Sequence, residues 1–287
     1  MQIRGMYFSG TGTTEKVVTA IAKALQENLG EPFAKAPDIN FTPPQARQQE
    51  YAFTADDIVV FGVPVIAGRV PNVLLKFLDT LRGGGAMAIP VVLYGNRDFD
   101  DALIELRNIL QDKGFHTIAA AAFIGEHSFS RVLAAGRPDD TDMTIAEEFA
   151  AEAAGKIRML IGSAGGKAEL LQKLLSMQGP IPVDGQEPLR EYYKPRDRKG
   201  THINILKVKP KLDPDKCTGC GLCAEICPMG SIKKEEPGVV SGICIKCCGC
   251  EKKCPEGALY FDDPGYLYHK EELEQGYSER KEPKLFI

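Results

Sequence analysis

The sequence predicts an α/β protein: a doubly wound, parallel five-stranded sheet, followed by a small α+β module rich in cysteine. Three observations carry this reading. Strand-like and helix-like segments alternate through residues 1–177. The apolar runs Ile58-Val59-Val60-Phe61 and Val91-Val92-Leu93 suit strands buried on both faces, as in a sheet covered by helices on either side. All nine cysteines fall between Cys217 and Cys254, which sets that stretch apart as a module of its own.

In chain order, the strands expected are Ile3–Phe8, a weak one within Phe33–Phe41, Asp57–Val63, Ile89–Tyr94 and Thr117–Ile124. Helices are expected between them. Thr14–Leu29 places Val17, Val18, Ile21, Ala24 and Leu25 on one stripe. Pro71–Leu81 opens with its proline near the first helical position. Asp98–Lys113 has acids in its first turn and a basic residue at its end. Thr144–Ile161 spaces Ile145, Phe149, Ala153, Ile157 and Leu160 at helical intervals, and Lys167–Met177 forms a further short helix. The expected division is 1–177 for the sheet domain, 178–211 for a linker, 212–263 for the cysteine-rich module and 264–287 for a tail.

A chain of 287 residues has room for one ordinary domain and a small one. The 44% hydrophobic and 26% charged residues describe a globular protein. A net charge of −4 is too balanced to point to nucleic acid or an anionic membrane. No apolar run approaches a membrane span, and Met1–Phe8 enters a strand pattern without the cleavage region of a signal peptide. A cytoplasmic, reducing location is expected.

The cysteines are duplicated. Cys217-x2-Cys220-x2-Cys223-x3-Cys227-Pro228 recurs as Cys244-x2-Cys247-x2-Cys250-x3-Cys254-Pro255, and 244 less 217 and 254 less 227 both give 27. Zinc takes four-cysteine sites but does not call for a third cysteine at i+6 and a Cys-Pro in each half. A disulfide framework requires an oxidising compartment. A metal-free remnant would be expected to have lost ligands, and all eight are here. The pattern closely resembles bacterial-type two-cluster ferredoxins, in which the cysteine before proline ligates the other cluster. The resemblance implies two [4Fe–4S] clusters, one held by Cys217, Cys220, Cys223 and Cys254, the other by Cys244, Cys247, Cys250 and Cys227. Cys248 stands outside the repeat; it is either a packed free thiol or a substitute ligand.

The first strand runs into Ser9-Gly10-Thr11-Gly12-Thr13-Thr14 at the start of a helix. Such a turn presents backbone N–H groups to an anion. With hydroxyls but no lysine in the loop, it suits a phosphomonoester and not the phosphate chain of a nucleotide hydrolase. Ser9, Thr11, Gly12, Thr13 and Thr14 resemble the phosphate loop of the flavodoxins, which bind FMN. That resemblance implies a flavodoxin-like fold with FMN at the carboxyl ends of the first and third strands. The isoalloxazine ring would lie between two loops, Pro64, Val65, Ile66, Ala67 and Gly68 on one side, and Tyr94, Gly95, Asn96, Arg97 and Phe99 on the other. The chain has no tryptophan, so Tyr94 or Phe99 is expected to supply the aromatic contact, and Ala67 or Gly68 the peptide that rearranges near N5.

Gly125–Met143 is long for a connection and follows the last strand, so it opens on the same side. His127 and Arg131 are its candidate catalytic residues, with Arg137 as a further gating group. It equally suits a surface loop ending in a helix cap at Asp142 or Thr144. In the linker, Arg190, Lys194, Arg196, Arg198, Lys199, Lys207, Lys209 and Lys211 form either a solvated face or a docking patch for an acidic partner. The tail can pack back on either domain.

Both halves together resemble flavodoxin–ferredoxin fusion proteins of anaerobic bacteria and archaea. The expectation is an electron-transfer iron–sulfur flavoprotein, with a low-potential donor and a redox protein as partner. A reductase of a small-molecule acceptor and a flavin-free, cluster-based redox sensor are the alternatives. A homodimer is a further candidate assembly.

Overall fold

A computed structural model describes residues 1–162, Glu169 and residues 179–287. The short helix expected over Lys167–Met177 lies, Glu169 apart, outside the described residues.

The sheet is built outward from β1 (Gln2–Tyr7). On one side it pairs in parallel with β2 (Ala34–Lys35) and β3 (Ile39–Asn40). These are the two halves of the weak strand expected in Phe33–Phe41. The break falls at Pro37, which has no N–H to give, and at Asp38, whose Oδ1 takes the Gly5 N–H at 2.6 Å in place of a backbone partner. On its other side β1 pairs with β4 (Asp57–Pro64), and β4 with β5 (Met87–Tyr94), all in parallel. Beyond β5 lie β6 (His116–Thr117) and β7 (Ala120–Ile124), two pieces of the last expected strand. The five parallel positions therefore run 2-1-3-4-5, the doubly wound order of flavodoxin-like folds.

Helices cover both faces. α1 (Thr13–Leu29) and α4 (Asp140–Gly162) share one core, in which Val17, Ile21, Leu25, Phe149 and Ile157 meet Val60, Ile89 and Phe123. α2 (Asn72–Leu78) and α3 (Ala102–Asp112) bury the opposite core around Phe41, Phe61, Leu74, Leu106 and Phe115. α3 starts later than its acidic first turn suggested, because Asp100 adopts φ 44, outside helical space. α4 starts earlier. Asp139 caps it by accepting the Asp142 N–H at 3.1 Å, while the Asp142 carboxylate accepts the Asp139 N–H at 2.9 Å.

The tail makes a contact that the pattern of its residues did not signal. β12 (Lys284–Phe286) pairs antiparallel with β7 and closes that edge of the sheet. Before it, the helix Pro264–Gly276 is capped by Asp263, which accepts the Tyr266 N–H at 2.9 Å, and buries Tyr266, His269 and Leu273. The chain thus leaves the first domain, forms the cysteine-rich module and returns to the sheet it left.

That module shows the duplication in three dimensions. The short helices Leu222–Glu225 and Gly249–Lys252 stand 27 residues apart (249 less 222), as do the strands β9 (Ile232–Lys233) and β11 (Leu259–Tyr260) (259 less 232). β9 pairs with β10 (Glu236–Val240), and β11 with β8 (Lys211–Leu212). Among the described residues of the linker, 179–210 form no helix or strand beyond the bridge Arg196–His202. No helix among the described residues is long and apolar enough to cross a membrane.

Candidate functional site: two cysteine-lined cavities against a hydroxyl-rich loop

The eight repeated cysteines line two cavities. One is bordered by Cys217, Cys220, Cys223 and Cys254, the other by Cys227, Cys244, Cys247 and Cys250. Each cavity takes three thiols from one run and the fourth from the other run, the grouping that the ferredoxin resemblance implies. Among the described residues no three His, Cys, Asp or Glu side chains close on a single-ion site. The thiols surround voids, and four thiols around a void fit a four-iron cube.

Left-handed residues start both short helices: Gly221 at φ 79 and Cys248 at φ 57. Cys248 is therefore the repeat partner of Gly221 (248 less 221 is 27), a position where a side chain is strained. The same offset applied to glycines would have found this in the sequence. Cys248 borders the second cavity, but its Sγ lies 3.4 Å from both Tyr266 Oη and the Lys246 carbonyl. Burial pushes its thiol well above the ordinary range.

The second cavity abuts the Ser9–Thr14 loop. A Cβ added to Gly10 would lie 2.8 Å from Cys247 Cβ and 3.2 Å from its Sγ, and one added to Gly249 would lie 2.5 Å from the Gly10 carbonyl. Only glycine permits this approach. In the loop, Ser9 Oγ accepts the N–H groups of Gly12 at 3.1 Å and Glu15 at 3.2 Å, so it organises the turn from within. The N–H groups of Gly10, Thr11, Thr13 and Thr14 find no acceptor among the described residues. Thr11 and Thr13 hydroxyls lie 3.5 Å apart. This half of the site fits a phosphate: free N–H donors at the start of a 17-residue helix, with hydroxyls beside them.

The ring half is differently arranged. Tyr94 and Phe99, expected to offer an aromatic face, are 5% and 4% exposed and pack on each other at 5.5 Å in the core. Apolar packing claims both rings, and burial pushes the Tyr94 phenol up to about 12. The Val65 N–H is bonded to Leu93, and Ile66 bridges to Arg69 across the turn Ala67-Gly68. The two loops are joined where Asp101 donates its N–H to the Gly68 carbonyl at 3.1 Å. The linker lies across them: the Tyr193 N–H reaches the Ala67 carbonyl at 2.8 Å, and Arg97 stacks on the Tyr193 ring at 4.4 Å. The Ala67 carbonyl, expected to be free to rearrange, is thereby engaged. Asn96 turns its amide to the tail, donating to the carbonyls of Tyr277 at 2.6 Å and Glu279 at 2.8 Å. Pro64 ends β4, and Gly95 is pressed against the His127 ring.

The 125–143 loop serves as a dock for the cysteine-rich module. Lys252 Nζ reaches the Glu126 carboxylate at 2.5 Å and the carbonyls of His127 and Ser130 at 2.7 Å each. Arg131 donates to the carbonyls of Glu251 at 3.2 Å and Lys252 at 3.4 Å, the end of the short helix. Ser130 Oγ meets Glu274 at 2.5 Å, and the Phe129 ring packs on Tyr266 at 4.7 Å. Arg137 pairs with the fully buried Asp142. His127 accepts the Phe129 N–H on Nδ1 at 3.1 Å. Burial, then the charges of Lys252, His269 and Arg97, push its imidazole down to about 3, so it is neutral. His127 and Arg131, the candidate catalytic pair, hold the two domains together in this structure.

The basic residues of the linker are largely engaged within the chain. Arg190 faces Asp100 and Asp101, Lys194 pairs with Glu191, Arg198 with Glu272 and Lys211 with Asp262. Arg196 and Lys209 bond to the carbonyls of Gly200 and Val240.

Residues 210–233 match the family of 4Fe-4S binding domains. Among solved structures, the chain is similar to a flavodoxin from the domain Archaea, at 16% identity and a TM-score of 0.37, over 55% of this chain and 99% of that one. It is likewise similar to an NADH:FMN oxidoreductase, EMOB, in its apo form, at 16% identity and a TM-score of 0.37, over 62% and 99%. A Fusobacterium nucleatum flavodoxin mutant bound to flavin mononucleotide matches at 16% identity and a TM-score of 0.34, over 55% and 95%. The fold itself is read from the strand order. A flavodoxin-like domain and a 4Fe-4S binding module are joined in one chain.

Proposed function

We propose that the protein is an electron-transfer iron–sulfur flavoprotein that carries two [4Fe–4S] clusters in its cysteine-lined cavities and FMN on the Ser9–Thr14 loop. When bound, these groups exchange electrons singly at the clusters and singly or in pairs at the flavin. The observation that carries the reading is the contact between Gly10 and Cys247, which sets the phosphate loop against the wall of the second cavity.

The chain's own residues give the arrangement a direction in space. The second cavity is flanked by Phe261, buried Cys248 and the first domain, whereas Cys220 of the first cavity is exposed. The first cavity is thus the side that an external redox protein reaches. Lys252, Arg131 and the tail strand β12 keep the second cavity against the first domain. The cover of Tyr193 and Arg97 favours one other reading, in which the flavodoxin-like domain works without flavin and the clusters sense redox state.

Anaerobic purification followed by iron, sulfide and flavin analysis tests these readings. About eight iron and eight sulfide per chain with stoichiometric FMN is the expected result. Full iron without FMN after flavin addition would select the sensor; zinc, or half the iron, would overturn the two-cluster reading.

A further inference from the structure

The phosphate loop contains no cation, but the fold brings one to it. Lys253 follows the short helix Gly249–Lys252, and a Cβ built on Gly12 would lie 4.0 Å from Lys253 Nζ. Gly12 is the N-cap of α1, the positive end of a 17-residue helix. An ammonium is repelled there unless an anion lies between. Lys253 is exposed, and among the described residues no carboxylate pairs with it. The loop beneath it is short of an acceptor in the same sense. The N–H groups of Gly10, Thr11, Thr13 and Thr14 meet no acceptor among the described residues. An unpaired cation and four unmatched N–H groups meet at the start of α1.

The position of Lys253 in the chain adds a consequence. It sits between Cys250, which lines the second cavity, and Cys254, which lines the first. Its neighbour Lys252 is the residue that locks the module onto the Glu126–Ser130 segment. Whatever orders the two cysteine sets also orders the segment that carries the cation.

We propose that Lys253 supplies, from the cysteine-rich module, the cation of a phosphomonoester site on the first domain, so that phosphate binding and cluster retention are coupled. This rests on the reading of the Ser9–Thr14 loop as the seat of the FMN phosphate. Coupling is reciprocal: if ordered cysteines place Lys253, a bound phosphate must in turn stabilise the segment between Cys250 and Cys254. The charge-assisted contact also makes binding dependent on salt, because an exposed ammonium is screened.

The test uses the full chain purified anaerobically with its clusters. It is titrated with FMN, with riboflavin, which lacks the phosphate, and with inorganic phosphate as competitor. Lys253→Met is expected to weaken FMN roughly ten- to hundredfold, the range for loss of a hydrogen bond to a charged group. It should leave riboflavin unchanged and blunt the competition by inorganic phosphate. Lys253→Arg should retain most of the affinity. Saturating FMN should slow the removal of iron by a chelator in the wild type but not in Lys253→Met.

Equal FMN affinity in wild type and Lys253→Met would overturn the proposal, and so would an equal loss of FMN and riboflavin. If the wild type binds inorganic phosphate but no FMN, the flavin reading fails while the site stands, provided that Lys253→Met abolishes phosphate binding. Wild type that binds neither overturns both. Should Lys253→Met lose iron during purification, Thr11→Ala with Thr14→Ala tests the same site from the first domain. That pair must lower phosphate competition and FMN protection of iron together, or the coupling is wrong.

Discussion

Replacing Lys252 by methionine removes the ammonium that joins the two domains while keeping most of its aliphatic stem. Three acceptors lose their donor: the Glu126 carboxylate at 2.5 Å and the carbonyls of His127 and Ser130 at 2.7 Å. Hydrogen bonds to a charged group are worth roughly 1.5–3 kcal/mol each, and bonds sharing one donor group do not add fully. The Lys252 and Glu126 side chains are only 10% and 27% exposed, so solvent replaces the lost contacts incompletely. A loss of about 2–4 kcal/mol in docking follows, with the carboxylate's share discounted for its partial exposure. That corresponds to a roughly thirty- to several-hundred-fold larger opening equilibrium. Hydrogen exchange on the anaerobic protein reads it directly. Amides of Glu126–Arg131 and of the Gly249–Lys252 helix should lose protection, while β4 and β5 keep theirs. Iron content must stay at the wild-type level, because Lys252 lies between Cys250 and Cys254 and cluster loss would mimic undocking. Unchanged protection in a variant with full iron would refute the argument that Lys252 staples the domains.

Two further outcomes follow from the same geometry. Cys254→Ala should damage the cluster bordered by Cys217, Cys220 and Cys223 and spare the other, as read by iron content and electron paramagnetic resonance; selective loss of the second cluster would contradict the crossed grouping. The interface should also loosen in mild acid. Burial first, then neighbouring positive charge, pushes His127 down to about 3 and His269 down to about 4, against an ordinary 6.5, so both are neutral when docked. Their contribution is full above pH about 6.5 and is lost as pH falls from there towards 3 to 4, because the undocked imidazoles take up protons first. Glu126 adds to this at lower pH. Burial pushes its carboxyl up, but the Lys252 hydrogen bond, the Gly136 N–H and the charges of Lys252 and Arg131 outweigh it and hold it below the ordinary value. Exchange protection of residues 126–131 should therefore fall between pH 7.5 and 5; constant protection would argue that these imidazoles are solvated.

The sequence by itself determined what depends on local periodicity and spacing. Apolar runs two-sided in character became the central strands β4 and β5, the stripe on Thr13–Leu29 became a buried helix face, and the 27-residue repeat returned as paired cavities, helices and strands. Each signal is carried by neighbours in the chain, so no knowledge of the rest was needed. The tertiary structure alone decided what depends on residues far apart meeting. Lys284–Phe286 is three residues long and has no strand signature; an open sheet edge gave it its role. Tyr94 and Phe99 have the composition of a ligand face, yet the core competes for the same rings and takes them. His127 and Arg131 read as free catalytic groups because their partners, at Lys252 and Glu251, lie about 120 residues on, where docking of two domains sets them. The approach of Cys247 to Gly10 is of the same kind: two glycine-permitted turns in separate domains, joined only because the chain folds back on itself.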